Sequence, residues 1–341
     1  MSKRLTLSTL IVVSFVLVFS YAALGKWDRS REGDPEDSFR SVYFINENKG
    51  WAVGDGGLLV STNNGGAKWD KVILEDVRES KAGELYKEAD LFVGLWGVYF
   101  INDKIGWISG DVFKGRGVIL YTEDGGKTWK HQSSGVSVPL YAIYFLDARN
   151  GWAAGENGML IGTQSGGTKW DSLLTGKAGA AIGEGAPGLW GVRFINLRKG
   201  WVAGSNGTIK MTQDGGKTWV DQKSNTENNL SGLDFVNENT GWAVGEEGVI
   251  LNTTDGGKTW TAQNSGVTEW LWGVKFISEK EGLVVGEYGT ILHTTDGGKT
   301  WQIDINRQKG APNTTFRSVS FPKPGVAYAA SESGLIFKYK P

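Results

Sequence analysis

Short runs of β-branched and aromatic residues alternate with clusters of Gly, Asn and Asp along almost the whole chain. Residues 271–301 carry the pattern most clearly, as the runs LWGVKFIS, GLVVGE and GTILHTT followed by KTW. Runs of this length and composition, bounded by turn residues, are typical of β-strands in hairpins. The pattern therefore predicts units of four short strands, which we call A to D, with strand D beginning at KTW.

The predicted unit recurs along the chain. The stretch 241–260 (GWAVGEEGVILNTTDGGKTW) returns almost intact at 282–301 (GLVVGEYGTILHTTDGGKTW), and looser copies begin at 50, 106, 151 and 200. The tryptophans that close the copies are Trp69, Trp129, Trp170, Trp219, Trp260 and Trp301. The last three are 41 residues apart, a spacing in the range of propeller blades.

The two ends of the chain carry complementary parts of one unit. A seventh copy, starting at Phe316, runs to the C-terminus without a strand D, while Trp27 stands alone just before the first strand A. Four-stranded units arranged radially make a β-propeller. We therefore predict an all-β domain over residues 26–341, a seven-bladed β-propeller with four-stranded blades whose last blade is closed by the N-terminal strand. An open solenoid is the alternative architecture.

The first 25 residues differ from the rest. Lys3 and Arg4 precede an almost uncharged apolar stretch, residues 5–25, which ends in small residues before charge resumes at Lys26. The order basic, apolar, small is that of a secretory signal. We expect residues 1–25 to be a signal peptide or an N-terminal anchor, and the protein to be exported to a periplasm, a lumen or the exterior. Uncleaved, residues 5–25 are long enough to span a membrane.

Composition and charge exclude several classes of function. The chain has no cysteine, which excludes disulfides, thiolate metal sites and a cysteine nucleophile. A net charge of -1 is unlike that of proteins that bind nucleic acid through bulk electrostatics. The 51 glycines fit a fold with many tight turns rather than a low-complexity chain. We expect no cofactor, no metal site and no nucleic-acid partner.

The closing motif of each unit carries a family resemblance. The segments TEDGGKTW (122–129), TQDGGKTW (212–219) and TTDGGKTW (253–260 and 294–301) resemble the Asp-box, or bacterial neuraminidase, repeat. Together with LWGV-x-F and GW-x-x-G-E/D-x-G, they resemble the photosystem II stability/assembly factor family over nearly all of residues 26–341. The resemblance implies a non-enzymatic propeller that chaperones a photosystem reaction-centre subunit during assembly. The chain departs from that family in lacking a lipobox cysteine and an evident basic patch.

The Asp-box carboxylates are candidates for turn formation rather than for chemistry. An Asp at the start of a C–D turn can accept backbone N–H bonds across it, and the Gly pair that follows permits positive φ. A catalytic group repeated in most blades does not suit a single substrate. We therefore assign a structural role to Asp124, Asp214, Asp255 and Asp296. The tryptophans of strand B are likewise expected to be buried: Trp51, Trp107, Trp152, Trp201 and Trp242.

Chain order predicts which face of the ring varies. The D–A links and the B–C turns share one face, and all three long insertions (70–94, 171–188 and 302–315) are D–A links. Variable loops concentrated on one face favour binding there, although tolerance of insertions would give the same distribution. The Asp-box face is uniform.

Two positions on the variable face are candidates for binding a partner. The residue after the strand-B glycine is mostly acidic, in chain order Asp55, Asp111, Glu156, Ser205, Glu246, Glu287 and Glu332. The residue at the start of strand A breaks the repeat, in the order Arg40, Trp96, Tyr141, Trp190, Ser231, Trp272 and Arg317. Aromatic and Arg side chains are typical contacts for a protein partner, and an acidic ring can attract a basic segment or a cation. Solvated turn carboxylates and tryptophans packed between blades are the alternative interpretation.

Asp-box repeats also occur in sialidases and other glycosidases, so hydrolysis has to be weighed. Sialidases use an arginine triad and a tyrosine nucleophile, and other glycosidases a carboxylate pair. Only Arg40 and Arg317 share a strand position, and strict alternation predicts Arg193 on the opposite side of its strand from Trp190. His131 and His293 share no repeat position. We therefore expect a binding scaffold with no catalytic residue, its partner a protein, most simply a membrane-complex subunit. The alternatives are a glycan-binding propeller and a sialidase-like glycoside hydrolase.

Overall fold

The computed structural model describes most of the region expected to fold. The described residues are 27–34, 36–74, 92–112, 115–173 and 186–340. The expected signal or anchor segment, and large parts of the insertions 70–94 and 171–188, lie outside them. Among the described residues, no helix has both the length and the apolar character needed to cross a bilayer.

The strands fall into seven groups of four, as the repeat predicts. Blade 1 is β2 (Phe39–Phe44), β3 (Gly50–Gly54), β4 (Leu59–Thr62) and β5 (Asp70–Lys71). Blade 2 is β6 (Phe92–Phe100), β7 (Gly106–Val112), β8 (Arg116–Thr122) and β9 (Lys130–Gln132). Blade 3 is β10 (Leu140–Phe145), β11 (Gly151–Gly155), β12 (Leu160–Thr163) and β13 (Asp171–Ser172).

The remaining blades follow the same plan. Blade 4 is β14 (Leu189–Phe194), β15 (Gly200–Gly204), β16 (Ile209–Thr212) and β17 (Val220–Gln222). Blade 5 is β18 (Leu230–Phe235), β19 (Gly241–Gly245), β20 (Ile250–Thr253) and β21 (Thr261–Gln263). Blade 6 is β22 (Leu271–Phe276), β23 (Gly282–Gly286), β24 (Ile291–Thr294) and β25 (Gln302–Ile305). Blade 7 is β26 (Phe316–Lys323), β27 (Val326–Ser331), β28 (Ile336–Tyr339) and β1 (Trp27–Arg31). The short 3-10 helices are Glu156–Gly158, Glu246–Gly248, Glu287–Gly289 and Arg307–Lys309.

Blade 7 joins the two ends of the chain. The N-terminal strand β1 pairs antiparallel with β28, with Trp27 opposite Tyr339. Trp27 is buried, its ring meets the edge of Tyr339 at 5.3 Å, and its Nε1 donates to Asp304 of blade 6 at 3.1 Å. The first strands of neighbouring blades contact each other all the way around, including β26 with β2. The predicted closed ring is thus confirmed, and the solenoid alternative is wrong.

Stacked aromatic pairs hold neighbouring blades together. The strand-B Trp of one blade lies flat on the last Phe of strand A in the next, as Trp242 does on Phe276 at 3.4 Å and 3°. In four of the five pairs the indole N–H donates to a glycine carbonyl in the C–D turn of the next blade, for Trp242 that of Gly297. The other pairs of this kind are Trp51–Phe100, Trp107–Phe145, Trp152–Phe194 and Trp201–Phe235. Each ring pair buries a large aromatic surface, the dominant favourable term in such interfaces.

The contact between blades 7 and 1 uses a different residue for the same purpose. Tyr328 stacks on Phe44 at 3.5 Å, and its hydroxyl donates to the Gly65 carbonyl at 3.1 Å. Blade 6 has Leu283 at the equivalent position, so its contact with blade 7 lacks the stacked ring. The contact between blades 7 and 1 therefore has the same stacked geometry as the five contacts from blades 1 and 2 to blades 5 and 6.

Strand D begins later than predicted. In blade 5, β21 starts at Thr261, after Trp260, instead of at the Lys of KTW. The turn itself uses the preceding N–H groups, since Thr259 donates to the Asp255 carboxylate at 2.9 Å. Backbone donors engaged in the turn are not free for a strand ladder, which moves the start of the strand past the tryptophan.

Candidate functional site

The Asp-box end of the ring is built from repeated turns. The Asp296 carboxylate accepts from the backbone N–H of Thr300 at 2.9 Å, from its hydroxyl at 2.6 Å and from the Thr294 hydroxyl at 2.8 Å. These hydrogen bonds, the one from the Thr300 side chain first, lower the pKa of Asp296 to about 2. Equivalent bonds and the same low pKa are found for Asp124, Asp214 and Asp255. These carboxylates therefore tie one turn residue to another.

The opposite end of the ring opens into the central channel. A cavity of about 460 Å³ lies there, lined by residues of all seven A strands. All seven residues that break the repeat line it: Arg40, Trp96, Tyr141, Trp190, Ser231, Trp272 and Arg317. We call this set the mouth ring.

A β-bulge at the start of every A strand determines where the side chains of the mouth ring point. In blade 4, Leu189 pairs with Gly204 and Gly191 with Ala203, so Trp190 is an extra residue in the ladder. The other six blades have the same shift. An extra residue disrupts the strict alternation of side chains. Two residues three positions apart, one at the bulge and one after it, therefore point to the same side of the strand. The prediction that Arg193 faces away from Trp190 is therefore wrong.

The first blades show this shared side directly. The Arg40 guanidinium lies 4.8 Å from the Trp96 ring of blade 2, and Tyr43, three residues further on, lies 4.9 Å from Tyr99 of the same blade. Both side chains of blade 1 thus point along the channel wall towards the next blade.

In four blades the two predicted sets of mouth residues are joined, because the A-strand residue bonds the B–C turn residue 15 positions later: Arg40 to Asp55, Trp96 to Asp111, Tyr141 to Glu156 and Arg317 to Glu332. Trp96 Nε1 donates to Asp111 Oδ1 at 2.7 Å, and the Tyr141 hydroxyl donates to Glu156. Burial raises the pKa of Asp111 and of Tyr141, against the hydrogen bond from Trp96 in the first case and together with the Glu156 carboxylate in the second.

Arg40 and Arg317 are neighbours, as the closed ring predicts, and a carboxylate joins them. Arg40 donates to both oxygens of Asp55, at 2.9 and 2.7 Å, and to Glu332 at 2.8 Å. Arg317 donates to the same Glu332 oxygen at 2.6 Å and lies 3.6 Å from the Trp272 ring. Burial lowers the pKa of Arg317, whereas for Arg40 the carboxylates of Asp55 and Glu332 outweigh burial and raise it.

Aromatic rings occupy the other side of the mouth. Trp270 and Trp272 stack at 4.3 Å, and both lie about 6 Å from Trp190. Trp270, which falls outside the tryptophan register of the repeat, donates from Nε1 to Ser231 at 2.5 Å. Trp272 Nε1 is buried and has no hydrogen-bond partner within the part of the chain that the structure describes. The mouth is therefore aromatic on blades 4 to 6 and charged on blades 7 and 1.

The remaining predicted acids differ in their contacts. Glu246 accepts from the backbone and side-chain amides of Asn229, at 2.9 and 2.8 Å. The charge of the Glu287 carboxylate counteracts the effect of burial on the pKa of Arg317. In the described part of the chain, no group of three His, Asp or Glu side chains could hold a metal ion. Most acids of the predicted ring are bound sideways to neighbours, which leaves little for a cation.

Sequence analysis missed a second layer of the channel wall, three residues deeper than the mouth ring. Its members are Tyr43, Tyr99, Tyr144, Arg193, Asp234, Lys275 and Ser320. The available signal was the same as for the mouth, since this position also departs from the repeat. We call this set the channel layer.

The comparisons with known proteins agree with this architecture. The chain matches the solved structure "YCF48 bound to D1 peptide" at 20% identity and a TM-score of 0.71, over 93% of this chain and 97% of that one. It matches YCF48 from Cyanidioschyzon merolae at 19% identity and a TM-score of 0.73, over 93% of this chain and 99% of that one. A GH74 xyloglucanase from Xanthomonas campestris matches at 13% and 0.72, over 91% of this chain and 53% of that one. At these identities the likeness is one of fold.

No curated protein sequence matches the chain. The family model described as "Photosynthesis system II assembly factor YCF48" matches residues 75–164, 184–264, 219–320 and 263–338. These matches cover most of the propeller, including strands that line the mouth in blades 2 to 7. The chain therefore belongs to the photosystem II assembly factor YCF48 family.

Proposed function

We propose that this protein is a non-enzymatic assembly factor that holds a subunit of a membrane complex at its mouth ring. By membership of its family, a photosystem reaction-centre subunit is the first candidate partner. The solved structure "YCF48 bound to D1 peptide" supports a peptide segment of a photosystem subunit as the kind of partner.

The observation that carries the proposal is the asymmetry of the mouth ring. A repeat protein that needed these residues only for packing could use one residue type in all blades, as the stacked Trp–Phe pairs largely do. Instead Trp190, Trp270 and Trp272 form an aromatic wall that ends at the Arg40–Arg317 pair, where Arg317 lies 3.6 Å from the Trp272 ring. Trp and Arg are the residues most often dominant in protein interfaces.

Capture from host membranes tests the proposal. Tagged protein, incubated with detergent-solubilised membranes, is expected to retain a reaction-centre subunit or its precursor. Trp190→Ala is expected to reduce that retention about tenfold or more, the loss that removal of an interface hot spot brings.

Leu197→Ala is the matched control. Leu197 belongs to the same blade and is 52% exposed, but it lies beyond the Phe194 end of β14, away from the mouth. Retention by this variant should equal wild type. Equal retention by the Trp190 variant would contradict the proposed site, and capture of no membrane-complex subunit would contradict the proposed function.

The proposal includes the absence of glycoside hydrolysis. The Arg40–Asp55, Trp96–Asp111 and Tyr141–Glu156 contacts engage mouth carboxylates that hydrolysis would need free as an acid and a base or nucleophile. We expect no release of reducing ends from xyloglucan or from aryl glycosides. Hydrolysis that disappears in Asp111→Asn would overturn this part of the proposal.

We also propose that residues 1–25 direct export. Their basic, apolar and small-residue order supports it. Amino-terminal sequencing of the protein from its host is expected to start near residue 26 if the segment is cleaved. An intact N-terminus on protein recovered from the soluble cytoplasm would contradict the proposal.

A further inference from the structure

The channel layer contains a compact charged group on blades 4 to 6. Lys275 Nζ lies 3.1 Å from both carboxylate oxygens of Asp234, and Arg193 Nε lies 3.4 Å from one of them. Asp234 also accepts from the backbone N–H of Phe276 at 2.9 Å. One carboxylate therefore serves two cations and a backbone donor.

The two cations face the channel, and the carboxylate lies behind them. The Lys275 side chain is 33% exposed and that of Arg193 21%, whereas that of Asp234 is 5% exposed. All three belong to innermost strands, so the exposed part of Lys275 and Arg193 opens into the channel. The Arg193 guanidinium lies 4.7 Å from the Tyr144 ring. Among the described residues, its hydrogen bonds run only from Nε, to the Phe235 carbonyl and towards Asp234, so neither Nη group has an oxygen acceptor.

The rest of the layer does not balance the extra positive charge. Tyr43, Tyr99 and Tyr144 adjoin one another, and burial first of all raises their pKa values, that of Tyr43 to about 12, so that they stay neutral. Burial lowers the pKa of Lys275, which marks its charge as incompletely compensated. Two cations and one carboxylate leave the layer with one uncompensated positive charge.

We propose that the channel layer binds one carboxylate group, held between Lys275 Nζ and the free Nη atoms of Arg193. Hydrogen bonds from Lys or Arg to a carboxylate are strengthened by charge, and Arg can form two of them in parallel. The site lies three residues, about 10 Å, below the mouth ring. It goes beyond the proposed function and does not depend on it, since a free small acid and a side chain of a partner segment present the same group.

The acidic mouth sets a limit on what enters. Asp55, Asp111, Glu156 and Glu332 stand above the channel layer, each bound to a mouth-ring residue. A polyanion meets repulsion there, whereas a single carboxylate on a neutral carrier passes with little cost. Entry through the mouth therefore favours a single carboxylate over a polyanion.

Titration of the full chain with ¹³C-acetate, followed by the line width of the acetate signal, tests the site. We expect saturable broadening in wild type, about tenfold weaker binding in Lys275→Met, and wild-type binding in Lys104→Met, which removes an exposed lysine from another blade. Asp234→Asn keeps an acceptor for Phe276 but removes the competing charge, so it is expected to bind acetate several-fold more tightly. A residue that acts only in folding would not produce that gain.

A capped peptide distinguishes the two sources of the carboxylate. Binding of Ac-Gly-Ser-Glu-Ser-Gly-NH₂, but not of its Gln counterpart, with the same dependence on Lys275 supports a site that a partner segment can reach. Binding of acetate without the peptide supports a site for a free small acid. Absence of both, or affinities unchanged in Lys275→Met and Asp234→Asn, overturns the proposal, whereas loss of membrane capture alone concerns only the proposed function.

Discussion

Both ends of the ring carry an acidic residue at a fixed place in most blades, and the two ends use it differently. At the Asp-box end, Asp214, Asp255 and Asp296 make the same bonds to the Thr four residues later. At the mouth, Asp55 meets an arginine and Asp111 meets a tryptophan. The backbone repeats at both ends, so the difference lies in what the side chains are needed for. Residues repeat where every blade forms the same turn, and they diverge at the mouth, where we propose that one asymmetric partner binds.

The largest effect on stability is expected from the repeating contacts. Trp242→Ala removes the ring stacked on Phe276 and the hydrogen bond to Gly297, and should lower the free energy of unfolding by about 3–5 kcal/mol, the usual range for a buried Trp. Chemical denaturation measures it. Trp190→Ala, at the half-buried mouth, is the matched change and should cost clearly less. Equal losses would break the distinction between the two ends.

A smaller effect is expected from the turns. Asp296→Asn keeps one acceptor for Thr300 and loses the second, so about 1 kcal/mol should be lost at pH 7, the usual net contribution of a hydrogen bond. Blade 1 already carries Asn64 at this position and accepts from the Lys68 N–H, which shows that the turn forms with an amide. A loss above about 3 kcal/mol would mean that the carboxylate does more than close its turn.

The pH dependence of stability is a second test of the role of Asp296. The folded pKa of Asp296 is about 2, below the ordinary value for Asp of about 3.9, so its stabilisation is complete above pH 4 and is lost as the pH falls towards 2. The melting temperature of the wild type should fall between pH 5 and pH 2, and that of Asp296→Asn should fall less. Parallel pH curves for the two proteins would contradict the assignment.

The smallest effect on stability is expected at the mouth. Arg317→Lys keeps the charge but removes the planar group that stacks on Trp272 and reaches Glu332. Because Arg317 and Glu332 are partly exposed, the free energy of unfolding should change by less than about 1 kcal/mol. Retention of the membrane-complex partner should fall. A variant that unfolds much more easily yet binds normally would assign this arginine to the scaffold.

The fold was predictable because it repeats. Seven copies average out the weak signal of each short strand, and the missing strand of the last copy, together with Trp27, predicts the closure that β1 and β28 make. The start of strand D was predicted too early, because a hydrogen bond within the turn cannot be read from a strand pattern.

The site was predictable in membership but not in arrangement. Departure from the repeat identified the mouth ring, which the cavity brings together. The bulge before Gly191 could not be seen, because an extra residue in every blade leaves the period unchanged and shifts only the side on which Arg193 lies. The channel layer was missed for the same reason, because the bulge also determines which side chains lie below the mouth ring. Trp270, an extra aromatic outside the register, was visible but had no repeat partner to explain it.

The pairing of Trp27 with Tyr339 also has a consequence for how the molecule is made. The first strand to leave the ribosome has to wait, with its hydrogen-bonding edge open, until the last strand has been synthesised. If the chain is exported, the whole chain has to cross the membrane before the circle can be sealed. Every intermediate is an open arc with two unsealed edges, so a stalled or truncated chain stays incomplete and is exposed to proteolysis. Since the terminal strands β1 and β28 pair within one sheet, the two ends could also be linked and the chain opened at another loop without changing the ring.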